Sequence, residues 1–93
     1  MEAREFVKRE YGNSKNPFSP HVLRYGWILR DRIAFELSYG RWDRDEIYGV
    51  SIVEYDENSE TKTKRRSDLA EAFNSKQEAK EYIKQLRNNA KSK

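Results

Sequence analysis

The chain contains no cysteine, which excludes disulfides, thiolate metal sites and cysteine nucleophiles. His21 is the only histidine, so His-rich metal sites and two-histidine mechanisms are excluded as well. No apolar run approaches the roughly 20 residues of a membrane span, and Met1-Glu2-Ala3-Arg4-Glu5 lacks the apolar stretch of a secretory signal. The expectation is a cytoplasmic protein with no membrane contact. Glycine is sparse: Gly12, Gly26, Gly40 and Gly49 lie far apart, so no glycine-rich phosphate loop exists and no cofactor is implied. Only 35% of the 93 residues are hydrophobic and 38% are charged, which fits one small domain with a thin core.

What the chain does have is segregated charge. The formal net charge is +3, but residues 1–42 carry +3, residues 43–60 carry −6 and residues 61–93 carry +6. An acidic middle and a basic last third make a dipolar surface able to orient a partner.

The pattern of apolar residues predicts the elements. Ala3, Phe6, Val7 and Tyr11 follow helical spacing, giving a short helix over 2–11. Two prolines then make 12–20 a loop, with Phe18 as its anchor to the core. Strands are expected at His21–Arg30, at Ile33–Tyr39 and at Glu46–Tyr55. In the second, Ile33, Phe35, Leu37 and Tyr39 alternate with Ala34, Glu36 and Ser38, the cleanest strand signal of the three. Asp31-Arg32 is short enough for a two-residue hairpin, and residues 40–45 form the next connection. The polar stretch 56–67 reads as an exposed loop, or carries a fourth edge strand at Thr61–Lys64. Asp68–Phe73 reads as a helical turn, separate from or continuous with the last helix. That helix opens on the capping box Ser75-Lys76-Gln77-Glu78, and Ala79, Tyr82, Ile83, Leu86 and Ala90 fall on one of its faces.

These elements predict an α+β fold in a single domain over 1–93. A three-stranded antiparallel meander, or a four-stranded one, packs against the C-terminal helix, with a short N-terminal helix beside it. Its parts are the helix and Pro-containing loop (1–20), the sheet (21–55), the charged loop (56–67) and a helical region (68–91). Ile28, Phe35, Leu37, Val50, Ile52, Phe73, Ala79, Tyr82, Ile83 and Leu86 are the expected core.

Two surfaces stand out. On the last helix, Lys76, Lys80, Lys84, Arg87 and Lys91 form a stripe about 80° wide, distinct from the apolar face and from Glu78 and Glu81. Such a stripe can follow a phosphate backbone; equally, lysine stems can simply shield an apolar face. Lys62, Lys64, Arg65 and Arg66 would extend it if their loop folds toward it. The second surface is aromatic: Tyr25, Trp27, Trp42 and Tyr48. With Arg30 opposite Ile33, Ile28 faces Phe35 and Trp27 faces Glu36, so Tyr25 and Trp27 stand over Ala34, Ser38, Gly49 and Ser51, away from the C-terminal helix. These rings could anchor a protein or stack bases. In the competing reading the N-terminal helix and Phe18 cover them as a second small core.

The carboxylates Asp43, Asp45, Glu46, Glu54, Asp56, Glu57 and Glu60 do not follow a calcium loop, lacking its glycine and terminal glutamate. No metal site is expected. His21 has no visible nucleophile or carboxylate partner, so no catalytic residue is assigned and a non-enzymatic protein is expected. The order helix, three strands, helix resembles the double-stranded-RNA-binding domain, and Ser75-Lys76-Gln77-Glu78-Ala79-Lys80 is similar to the lysine-rich opening of that family's second helix. The resemblance implies lysines contacting phosphates across a groove. The chain departs from that pattern at Gln77 (usually lysine), at Pro20-His21 ahead of the first strand, and in its long 56–74 connection, and it is not assigned to the family. The leading expectation is a small protein-binding or adaptor domain using Tyr25, Trp27, Trp42 and Tyr48. The alternatives are a nucleic-acid-binding accessory domain using Lys62, Lys64, Arg65, Arg66, Lys76, Lys80, Lys84 and Arg87, and a homodimer through the aromatic sheet face.

Overall fold

A computed structural model describes residues 1–11 and 21–91. The expected loop at 12–20 and its anchor Phe18 lie outside the described residues. The elements are α1 (Ala3–Tyr11), β1 (His21–Leu29), β2 (Ile33–Trp42), β3 (Asp45–Tyr55), β4 (Thr63–Arg65), a 3-10 turn at Ser67–Leu69, β5 (Glu71–Phe73) and α2 (Lys76–Lys91). The fold is α+β with an antiparallel meander. Strands run in the order β1-β2-β3-β4, and β5 also pairs with β3.

The sheet separates two apolar clusters. On one face α2 packs on Ile28, Phe35, Leu37, Val50 and Ile52, which bury Ala79 and Ile83; Tyr48, Leu69, Phe73, Tyr82 and Leu86 close the margin. All ten residues expected in the core belong to this cluster. On the other face α1 lays Ala3, Phe6 and Val7 on Ala34 and Val53, with Tyr25 and Trp27 beside them. Burying a Val, Leu, Ile or Phe side chain contributes about 1.5–3 kcal/mol. Nine-residue α1 is too short to persist alone, so this second cluster is what holds it.

The long β3 carries both short strands on one edge. β4 pairs with Val53–Tyr55 and β5 with Tyr48–Val50, so the chain descends along β3, breaks out at 66–70 and returns. The Arg66 N–H still donates to the Ile52 carbonyl (2.8 Å) before the chain leaves the edge. The helical turn expected at 68–73 is therefore replaced by the 3-10 turn and a strand. The reason is that an unpaired β3 edge offers partners to backbone groups that local propensity alone would coil. The edge strand considered at Thr61–Lys64 forms at Thr63–Arg65.

Both hairpins differ from expectation in detail. The two-residue turn is Asp43-Arg44, closed by the Trp42–Asp45 pair, so β2 runs on through 40–42 rather than entering a loop there. Asp43 adopts φ 59°, the left-handed region that a two-residue hairpin demands and Asp tolerates. The first hairpin spans Arg30-Asp31-Arg32, with Leu29 opposite Ile33 and Asp31 at φ 61°. Gly26 therefore faces Phe35 and Trp27 faces Ala34, in place of Ile28 opposite Phe35 and Trp27 opposite Glu36. That offset is two residues, and a two-residue slip restores the original faces. Ile28 and Trp27 thus lie on the sides expected of them despite the different register.

Ser75 caps α2 as its sequence implies: its Oγ accepts from the Glu78 N–H at 3.2 Å. The Tyr82 hydroxyl donates to the Leu69 carbonyl at 2.6 Å, tying the helix to the 3-10 turn, and burial pushes that phenol above its ordinary value. Among the described residues no helix is long and apolar enough to cross a membrane.

Candidate functional site

The four aromatic residues singled out above occupy three different places. Tyr25 and Trp27 are half-buried at the margin of α1, and the Trp27 ring meets Phe6 edge-on, with centroids 5.1 Å apart. Tyr48 lies on the opposite face, where it packs beside Tyr39 at 5.2 Å and borders the α2 core. Trp42 alone projects, 76% exposed, at the Asp43-Arg44 turn. No single aromatic face joins them. Tyr48 alternates with Val50 and Ile52 along β3, which fixes it to the α2 side.

The basic residues divide as sharply. On α2, Lys76, Lys80, Lys84 and Lys91 are exposed. Arg87 is not free: its Nε donates to the Trp27 carbonyl at 2.9 Å and its guanidinium lies over the Phe35 ring at 5.3 Å. This contact orients the helix. Lys84, Lys80 and Lys76 precede Arg87 by three, seven and eleven residues, so they share its side, and that side flanks β1. The opposite side of α2, with Glu78, Glu81 and Tyr82, borders Phe73 of β5.

Lys62, Lys64, Arg65 and Arg66 lie on the far edge of the sheet, at or beside β4, and do not extend the helix stripe. Three of them also face acceptors or acids. Lys62 Nζ donates to the Glu57 carbonyl at 3.0 Å. Arg65 acts electrostatically on Glu36. Arg66 grips Asp68 through two hydrogen bonds of 2.9 and 2.7 Å and also pairs with Glu54. The Asp68 bonds, followed by the Glu54 bond, hold the Arg66 guanidinium above its ordinary pKa, and the same arginine holds Asp68 below its own. A run of positive charge in the sequence is thus partly cancelled in space.

The flank formed by β1 and the side of α2 beside it is less cancelled: Asp31 follows Arg30, but its carboxylate lies 3.9 Å from the Met1 amino group. His21–Leu29 contains no carboxylate. Arg24 lies on the α2 side of β1, opposite Leu37, and is exposed, as is Arg30 just beyond the strand. Where β1 meets α1, an open cleft of about 470 Å³ is lined by Met1, Glu2, Arg4, Tyr25, Trp27 and Arg30, among others. Sequence reasoning missed Arg24, Arg30 and Arg4; the absence of acids between His21 and Arg30 was the available signal. His21 is exposed at the start of β1, and among the described residues no group of three His, Cys, Asp or Glu could hold a metal ion.

On the α1 face Glu36 sits between Tyr25 and Ser51. Burial raises its pKa, and the opposing attraction of Arg65 does not cancel this. A raised carboxylate pKa means that the charged form destabilises the fold. The stabilising contribution is complete below the ordinary value of 4.5 and is lost as pH rises through the raised one. Glu36→Gln should therefore raise the melting temperature at pH 7, and the gain should shrink as pH falls through the raised value and vanish below 4.5. Thermal melts of both proteins across that range check this; equal stability at pH 7 would contradict it.

No family model matches the sequence, and comparison with curated proteins and with solved structures yields no match.

Proposed function

We propose that the domain binds nucleic acid through the flank formed by β1 and the adjoining side of α2. The observation that carries this is the seating of Arg87 on the Trp27 carbonyl, which sets Lys80 and Lys84 along an edge that already bears Arg24 and Arg30 and whose strand, His21–Leu29, holds no carboxylate. A polyanion suits this arrangement because the positive groups form a line rather than a point, and each neutralised phosphate releases condensed counterions.

The test is fluorescence anisotropy with labelled single-stranded and duplex oligonucleotides. If about four phosphates are neutralised, affinity should fall about a hundredfold between 50 and 200 mM salt. Absence of binding at the lower salt, or affinity indifferent to salt, overturns the reading.

A protein partner is the second reading, and the exposure of Trp42 favours it: Trp is enriched where a few residues carry an interface. Its earlier basis narrows to that one ring, since Tyr25, Trp27 and Tyr48 all contribute to packing. A homodimer through the Tyr25–Trp27 face has less support, because α1 already occupies part of that face.

A further inference from the structure

We infer that the cleft between α1 and β1 receives an unpaired base, so that the domain prefers single strands to duplexes. This rests on the nucleic-acid reading above and specifies its ligand. The cleft brings two different chemistries together at one place. Two aromatic residues, Tyr25 and Trp27, line it together with the exposed cations Arg4 and Arg30, which outnumber the one carboxylate there, Glu2. It also opens on the same strand that carries the flank: Trp27 lines the cleft and holds Arg87 of α2 with its carbonyl. A strand whose phosphates follow Arg24, Arg30 and the α2 lysines would therefore pass the cleft. In a single strand a base can turn out of the stack and lie on an aromatic ring, a contact tolerant of sequence because every base has a π-face. In a duplex the bases are paired and stacked inside, and only phosphates reach the flank.

The test uses the full chain carrying Trp42→Phe, which leaves Trp27 as the only indole. Single-stranded oligothymidylate and a duplex of equal length are titrated at about 50 mM salt, reading both affinity and Trp27 emission. The single strand should bind more tightly and quench Trp27, while the duplex should leave the emission unchanged. In the wild-type background Trp27→Leu should weaken single-strand binding about tenfold or more and leave duplex binding unaltered. Because Trp27 packs on Phe6, that variant could lose its fold; the emission measurement alters nothing in the cleft and decides the matter alone. Equal affinities with unchanged emission would overturn the inference and leave phosphate binding standing. Single-strand preference without quenching would also overturn it, by removing the cleft as its source. Failure of both oligonucleotides to bind would overturn the underlying reading and the inference with it.

Discussion

Phe35→Ala should cost about 3–5 kcal/mol, a large share of the roughly 5–15 kcal/mol that holds a domain of this kind together. Urea melts should show the variant largely unfolded at denaturant concentrations the wild type tolerates. Phe35 is 1% exposed at the centre of the α2 face, with Gly26 directly opposite on β1 and the Arg87 guanidinium over its ring. The same contact makes the opposite error costly too. A methyl group on Gly26 would stand 2.5 Å from two Phe35 ring carbons. The ring, enclosed beneath α2, has nowhere to swing, so Gly26→Ala should cost about 1–3 kcal/mol by overpacking. The two substitutions compete for one space. In the double variant the new methyl meets a cavity instead of a ring, so the combined loss should be clearly less than the two single losses together. A neutral Gly26→Ala, or strict additivity, would show that the ring is not held as described.

The register around Gly26 also shows how far the sequence could be read. Alternation in Ile33–Tyr39 assigns each side chain to a face, because the period of a strand is two, and those faces hold. The pairing itself depends on the turn at 30–32 and on the irregularity between Trp27 and Leu29, and neither leaves a mark on hydrophobic pattern. β5 was illegible for a different reason. Glu71-Ala72-Phe73 has little strand character of its own; its conformation comes from β3, a partner more than twenty residues earlier. The Lys62–Arg66 run looked like a binding patch because Glu54 is twelve residues from Arg66 in sequence, and only the β3–β4 pairing brings them together. The helix stripe could be seen because all its members lie within one element, where spacing alone fixes direction. Its junction with β1 could not, since the hydrogen bond from Arg87 to Trp27 spans sixty residues.

That junction leads to the second large effect. Neutralising Lys80 and Lys84 together, as Lys80→Gln with Lys84→Gln, should weaken oligonucleotide binding roughly tenfold or more at about 50 mM salt and reduce the slope of log affinity against log salt by about 2. Both side chains are exposed and neither forms an ion pair among the described residues, so the melting temperature should barely move. Arg87 is unsuitable for the same purpose: removing it frees the Trp27 carbonyl and uncovers Phe35, confounding affinity with folding. Lys64→Gln is the informative control. It removes one charge of the same sign from an equally exposed position, but on β4 at the far edge of the sheet. If attraction came only from the net charge, Lys64→Gln should cost about half as much as the double variant. If the line of cations along β1 and α2 is what the phosphates follow, Lys64→Gln should leave both affinity and salt slope close to wild type.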